Sequence, residues 1–219
     1  ENKVTEALDA DAIPIVLGGD HSITWPSATA VAKKYGYGNV GMVHFDAHAD
    51  TRESSYGDVL VGHGSPMRRL IESGAIPGKN FVQVGLRGPW PPPVDQKWMK
   101  DQGMRWHLMA EIEKKGFDEV LEMAISEALD GPDKLYISVD VDVMDPAFAP
   151  GTGTPEPGGI SSLELLRAIR EIVLSKGMVA MDVVEVAPVY DQPGDITAQA
   201  AHRCIYEAIS ALAKRNRKV

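Results

Sequence analysis

The segment VGMVHFDAHAD, Val40 to Asp50, decides the fold that we expect for this chain. Its first residues are almost all apolar, which is typical of a strand buried on both faces of a parallel sheet. Its last residues alternate, with His44, Asp46, His48 and Asp50 at every second position. Because such residues share one face of an extended chain, the end of this strand predicts a convergent array of ligand side chains.

Other apolar segments of strand length alternate with amphipathic segments along the chain. The predicted strands cover residues 13–18, 40–46, 80–87, 134–142 and 177–188. The predicted helices cover residues 26–35, 65–73, 109–129, 161–175 and 195–214. This alternation is typical of a parallel sheet with helices on both faces. We therefore expect a three-layer α/β sandwich with a mainly parallel sheet, formed as one domain over residues 1–219.

Composition and charge exclude several classes of function. The 219 residues are 44% hydrophobic and 24% charged, as in ordinary globular proteins, and a net charge of -9 argues against nucleic-acid binding. Every apolar run is shorter than the roughly 20 residues that span a bilayer, and the first residues do not resemble a signal peptide. The single cysteine, Cys204, excludes an internal disulfide and favours a reducing compartment. We expect a cytoplasmic protein without nucleic-acid or membrane partners. Because the chain starts without Met, we also expect residues to be missing from its front.

Further polar residues follow two other predicted strands. His21 lies in GGDHS after the first strand, and Asp140 and Asp142 lie in SVDVDVMDP at the end of the fourth. In open parallel sheets, ligands bind at the carboxyl ends of the strands. Two unpaired carboxylates on an apolar strand would repel each other and resist burial, whereas a divalent cation would neutralise both.

Six side chains are therefore candidate metal ligands: His21, Asp46, His48, Asp50, Asp140 and Asp142. Six ligands exceed the needs of one tetrahedral site, so we infer a binuclear centre. Imidazole and carboxylate ligands without thiolates suit manganese, and also zinc, nickel or iron.

Simpler roles exist for each residue taken singly. An aspartate often caps a helix or a turn, and GGDHS by itself favours a structural turn. His44, within the apolar strand, is more often a core histidine than a ligand, and we leave it out of the ligand set. Ser65, two residues after His63, is a weak nucleophile candidate and a strong N-cap before Pro66. The sequence contains no HExxH, Walker, strand-linked GxGxxG or GxSxG motif.

Five motifs follow one another from Gly18 onward: GGDHS, DAHAD, HGSPMRR, SVDVDVMDPAFAPGTGTPEPGG and DVVEVAP. In this order they resemble the motifs of the ureohydrolase family, which contains arginase, agmatinase and related guanidino-acid hydrolases. The resemblance implies two Mn²⁺ ions, with Ni²⁺ as an alternative, and a homo-oligomer, trimeric or hexameric. It assigns His21, Asp46, Asp50 and Asp140 to one ion. The other ion would have His48 and Asp142, with Asp46 and Asp140 bridging.

The same resemblance implies the catalytic roles. His63 falls at the position of the family's proton-shuttling histidine, and Glu185 at that of its guanidinium-binding glutamate. Asp50 would relay a proton to the departing nitrogen, and the products would be urea and an amine.

The loops HGSPMRR, RGPWPPP and TPEPGG look closer to agmatinase and guanidino-acid hydrolases than to arginase. Arginases place an asparagine two residues after the final aspartate of DAHxD, where this chain has Arg52. An inward Arg52 would favour a 4-guanidinobutyrate-like acid and repel the cationic tail of agmatine unless Glu53 or Asp58 screened it. We place agmatine first, with guanidino acids and guanidine itself as alternatives. A deacetylase-like amide hydrolase and a non-catalytic metal-binding protein are the alternatives from other classes.

Overall fold

In the part of the chain that the structure describes, the sheet has six strands, and all of their pairings are parallel. The computed structural model describes residues 1–54, 57, 59–89 and 91–217. In chain order the strands are β1 Ile15–Leu17, β2 Val40–Phe45, β3 Phe81–Leu86, β4 Arg105–Leu108, β5 Lys134–Asp140 and β6 Ala180–Val184. Their order across the sheet is β1-β6-β5-β2-β3-β4. The predicted parallel α/β fold is confirmed.

Helices pack on both faces of the sheet. The first four are α1 Asn2–Asp9, α2 Thr24–Tyr35, α3 Pro66–Glu72 and α4 Pro93–Asp101. The other four are α5 Met109–Lys115, α6 Phe117–Ala128, α7 Ser162–Ser175 and α8 Ile196–Asn216. The first group shares one apolar core with Met42 and Phe81, and the second group shares the opposite core with Val43 and Phe45. Successive residues of β2 therefore serve opposite cores, as the period of a strand requires.

The central strand β2 packs closely against α6. A Cβ atom on Gly41 would lie 2.0 Å from the carbonyl oxygen of Ala128, so only glycine fits at this position. Helix α7 begins with a capping box, in which the Ser161 side chain accepts from the Glu164 N–H and Glu164 accepts from the Ser161 N–H. Ser161 is therefore the N-cap of this helix, at the first residue of the predicted range 161–175.

Three elements were not predicted, and one predicted helix is divided. Strand β4 is short and contains charged and aromatic residues, so it lacks an apolar pattern. Helix α4 begins inside the proline-rich segment that the sequence predicts as a loop, because Pro93 occupies its first turn, where no N–H is needed. Helix α1 lies in a segment with no predicted element. The predicted helix 109–129 is two helices, because Gly116 has φ +93°.

The strand ends also differ from the prediction. β2 ends at Phe45 and β5 at Asp140, and Asp142 lies in a short 3₁₀ helix. Asp50 has φ +52° and cannot belong to an extended segment. The expectation that the candidate ligands share one face of a strand is therefore wrong for the residues beyond Phe45 and Asp140, and turns bring them together instead.

Within the part of the chain that the structure describes, every helix is too short or too polar to cross a membrane. Asp58 and Trp90, which belong to two of the segments considered above for substrate selection, lie outside the described residues.

Candidate metal centre

The candidate ligands gather at the carboxyl ends of the strands, where the sequence predicts a binding site. His21 begins a 3₁₀ turn after β1, and the segment 46–50 follows β2. Asp140 ends β5 and caps the next turn by accepting from the Asp142 N–H at 2.9 Å. Because β1, β5 and β2 are the first, third and fourth strands in the sheet order, their carboxyl ends bring these residues to one place.

His21 stands at the centre of three carboxylates. Its Nδ1 atom lies 3.2 Å from Asp46 Oδ2, 3.1 Å from Asp50 Oδ2 and 3.2 Å from Asp140 Oδ2. The side chains of His21 and Asp46 are fully buried. Four of the six predicted ligands thus converge on one point.

His48 and Asp142 form a second group that shares Asp46. His48 Nδ1 lies 2.9 Å from Asp142 Oδ2 and 3.6 Å from Asp46 Oδ1. The N–H of Ala47 donates to Asp142 Oδ1 at 3.0 Å, and the Thr154 hydroxyl donates to Asp142 Oδ2 at 3.3 Å. Asp46 therefore contributes one oxygen to each group, and all six predicted residues are accounted for.

The far side of the His21 ring has a hydrogen-bonded chain that fixes its orientation. Asp182 accepts the hydroxyl protons of Thr24, Tyr136 and Ser138 at 2.8, 2.6 and 2.8 Å. Because Ser138 gives its proton to Asp182, its oxygen is the acceptor for His21 Nε2–H at 3.0 Å. Nδ1 of a neutral His21 ring is then unprotonated and faces three carboxylates.

Such an arrangement requires a positive charge. His21 Nδ1 and Asp46 Oδ2 are buried without a hydrogen-bond partner among the described residues. Burial raises the pKa of Asp140, and the charges of Asp142 and Asp46 raise it further, well above its ordinary value. Burial opposes charge on His21, but the neighbouring carboxylates raise the pKa of the ring well above its ordinary value. The donor set fits a divalent cation, which neutralises carboxylates and accepts the imidazole lone pair.

Glu185 follows β6 in the left-handed region, with φ +64°. Its Oε1 accepts from the His21 N–H at 2.8 Å, so the carboxylate is tied to the backbone of a candidate ligand. Its Oε2 lies on the side of Gly153, which offers no side chain. Burial raises the pKa of Glu185 above its ordinary value, and the main-chain N–H of His21 opposes this shift. A cationic partner would stabilise the ionised form.

One open cavity joins these residues. His48, Asp50, Asp140 and Glu185 line it together with His63. The cavity wall also includes Arg52, Pro91, Pro92 and Thr154. The predicted catalytic residues Asp50, His63 and Glu185 therefore face the same space as the candidate ligands.

The residues that support the candidate ligands are not among those predicted from the sequence. Ser138 and Asp182 are buried polar residues within apolar strands. A polar residue in such a strand is the sequence signal that could have identified them. The prediction of His44 as a core histidine outside the ligand set does not account for its Nε2, which lies 2.9 Å from Asp46 Oδ2. His21, His44 and Asp46 together satisfy the distances of a metal-binding group.

Comparisons with known proteins agree with this geometry. Residues 1–211 match the model of the arginase family. The chain is 41% identical over 202 residues to mitochondrial agmatinase of Gallus gallus, covering 91% of this chain and 57% of that protein. It is 40% identical over 205 residues to guanidinopropionase of Pseudomonas aeruginosa, covering 94% and 62%. The solved structure of proclavaminate amidino hydrolase from Streptomyces clavuligerus superposes with a TM-score of 0.87 at 36% identity, covering 98% of this chain and 69% of that one. The chain thus spans less than two thirds of the length of these two sequence relatives.

Proposed function

The chain belongs to the arginase family, and from that premise we propose that it hydrolyses a guanidino compound to urea and an amine with two bound divalent cations. The observation that carries the proposal is the convergence of three carboxylates on His21 Nδ1 at 3.1–3.2 Å, beside Glu185 and in one cavity. A guanidinium carbon is a poor electrophile, so neutral water reacts with it slowly, and two divalent cations supply hydroxide at neutral pH by lowering the pKa of water.

The six residues named above would hold the cations in two groups. His21, Asp50, Asp46 and Asp140 form the first group, and His48 and Asp142 form the second with Asp46 and Asp140 in common. We propose Mn²⁺ in both positions because the donors are carboxylates and imidazoles without a thiolate, while Ni²⁺ accepts the same donors.

Glu185 would hold the substrate. The Oε1 atom is anchored by the His21 N–H, and Oε2 lies beside Gly153, where a planar guanidinium has room. A carboxylate facing a guanidinium makes charge-assisted hydrogen bonds, which orient the cation as well as bind it. This contact would keep the guanidinium carbon next to the ligand cluster.

Asp50 and His63 would move the proton that the leaving nitrogen needs. The Oδ2 atom of Asp50 lies 3.1 Å from His21 Nδ1, and Asp50 lines the cavity. Its carboxylate can take the proton of the hydroxyl group that has added to the guanidinium carbon and deliver it to the leaving nitrogen. His63 lines the same cavity and is partly exposed. An imidazole in this position can exchange the proton with bulk water, because histidine titrates near neutral pH.

Agmatine is the substrate that we place first, on the resemblance of the loops and on a relative named agmatinase. Arg52 favours guanidino acids as the second candidate. It lies on the cavity wall with its main-chain N–H donating to the Gly64 carbonyl, and its side chain is exposed. A guanidinium on the wall of this cavity could bind the terminal carboxylate of a 4-guanidinobutyrate-like tail.

The test is urea release from agmatine, 4-guanidinobutyrate, arginine and free guanidine by the manganese-loaded protein. We expect turnover of agmatine or a guanidino acid and poor turnover of arginine. The Arg52→Ala variant separates the two first candidates, because it should lower guanidino-acid turnover relative to agmatine. An unchanged ratio would remove Arg52 from substrate selection. Amide hydrolysis without urea release would favour the deacetylase-like alternative, and metal binding without turnover would favour the non-catalytic one.

Further properties stay predictions of the family resemblance and the composition. We propose a homo-oligomer, trimeric or hexameric, in the cytoplasm, without nucleic-acid or membrane partners. Light scattering on the purified protein measures the oligomeric state, and fractionation of the source cells measures the location in the cell.

A further inference from the structure

His44 is a buried histidine on β2 whose polar atoms all face the metal centre or its support. The ring is fully buried between two others, with its centroid 4.9 Å from that of His21 and 5.4 Å from that of Phe81. Its Nε2 lies 2.9 Å from Asp46 Oδ2, and its Nδ1 lies 3.0 Å from Gln83 Nε2. A core histidine that only filled space would not need both contacts.

The neighbouring backbone determines which nitrogen of His44 has the proton. The Gln83 side chain lies 2.8 Å from the carbonyl oxygen of Ala49, which can only accept, so the nearer atom of the amide must be the nitrogen. The second N–H of the same nitrogen then donates to His44 Nδ1, which must be unprotonated. The proton of the neutral ring is therefore on Nε2, and Nε2–H faces Asp46 Oδ2.

The contact with Asp46 is short but bent. Neither His44 Nε2 nor Asp46 Oδ2 has an aligned hydrogen-bond partner among the residues described. Asp46 Oδ1 accepts from the His48 N–H at 2.6 Å, so Oδ2 is the oxygen of this carboxylate that faces His44 Nε2–H. The two contacts hold the two oxygens of Asp46 in different directions, one toward each ligand group.

We propose that His44 is a positioning residue for the metal centre, in which Nε2–H orients the shared carboxylate of Asp46 and Gln83 fixes the ring in the required tautomer. This rests on the proposed function, since it takes Asp46 as the ligand common to both cations. His44 does not bind a cation in this arrangement, because Nε2 has the proton and Nδ1 accepts from Gln83. Gln83 also ties the ring to Ala49, the residue before Asp50, so one amide supports both ends of the ligand segment.

Metal affinity, measured by equilibrium dialysis with metal analysis on the full chain, tests the proposal without an activity assay. A glutamine at position 44 brings an N–H near the place of Nε2, and an asparagine brings one near the place of Nδ1. We expect His44→Gln to bind manganese nearly as tightly as wild type. His44→Asn and His44→Phe should bind it about 10- to 100-fold more weakly, the usual effect of losing the partner that orients a ligand.

Phe81→Leu is the matched control, because it loosens the packing of the same ring and leaves both contacts of His44 in place. It should lower the unfolding temperature and leave manganese affinity unchanged. The proposal would be overturned if His44→Phe bound manganese as tightly as wild type. It would also be overturned if His44→Gln and His44→Asn weakened manganese binding equally. If His44→Phe does not fold, the difference in manganese affinity between His44→Gln and His44→Asn is the test. A wild-type protein that binds no manganese would instead refute the proposed function.

Discussion

Replacing Glu185 with glutamine should lower kcat/KM for guanidino compounds and leave the metal centre intact. Glutamine keeps the length of the side chain, and its amide oxygen can still accept from the His21 N–H that Oε1 binds at 2.8 Å. The substitution also keeps a non-glycine residue at φ +64°, so backbone strain does not change. The variant therefore removes one thing, the negative charge that faces the substrate.

The size of the effect follows from the number of oxygens that are available. Oε1 is engaged by the backbone, so the charged contact with a guanidinium depends mainly on Oε2. A hydrogen bond to a charged group contributes about 1.5–3 kcal/mol, and each 1.4 kcal/mol is about tenfold, so kcat/KM should fall about 10- to 150-fold. Misplacement of the carbon would add to this loss.

The assay is urea release at several concentrations of agmatine and 4-guanidinobutyrate, beside manganese dialysis of the same samples. Glu156→Gln is the control, because Glu156 lies on a neighbouring loop and does not line the cavity. We expect the control to behave as wild type in both measurements. Unchanged kcat/KM of Glu185→Gln for every guanidino compound would refute the assignment, and loss of manganese would show that Glu185 supports the ligands instead.

Three further predictions concern the ligands and the proton path. Asp46→Asn or Asp140→Asn should remove at least one ion and nearly all turnover, since an amide cannot neutralise two cations; full occupancy with normal activity in metal analysis would contradict this. His63→Asn should keep its manganese and lose about 10²- to 10⁴-fold in turnover, with partial rescue by added imidazole; lost metal would make His63 a ligand. Manganese affinity should fall as the pH falls. Burial opposes charge on His48, but Asp142 and Asp46 raise its pKa to about 11, so at neutral pH a cation must displace this proton. Calorimetry in buffers of different ionisation enthalpy should show proton release, and binding without it would disprove the prediction.

Strand pattern was enough to predict where the candidate ligands lie in the fold. A segment such as VGMVHF can be buried on both faces only in a covered parallel sheet, and the polar residues after it must then lie at the carboxyl end. The convergence of His21, Asp46 and Asp140 follows from this topology. The turn of Asp142 does not follow from it, because DVDV continues the apolar alternation of β5. The strand ends where the Asp142 N–H donates to the Asp140 side chain.

The supporting contacts depend on pairings between strands that are distant in sequence. Ser138 meets Asp182 because β5 pairs with β6 in a register that places these two residues opposite each other. Gln83 meets His44 because β2 pairs with β3 in a similar way. A single sequence does not give the register in which two strands pair. A buried polar residue in a strand therefore predicts that a hydrogen-bond partner exists but does not identify the partner.

Asp50 and Glu185 share an uncommon backbone conformation. Both have φ between +50° and +65°, at +52° and +64°, which is uncommon for residues other than glycine. Each such residue costs about 1–3 kcal/mol, so surrounding contacts must hold it. The Met67 N–H donates to the Asp50 carbonyl, and the Glu185 N–H donates to that of Gly19. Glycine would relieve the strain but would remove the carboxylate that each position contributes to the cavity. The two strained residues therefore lie where the side chain matters more than the local backbone energy, and the rest of the fold stabilises them.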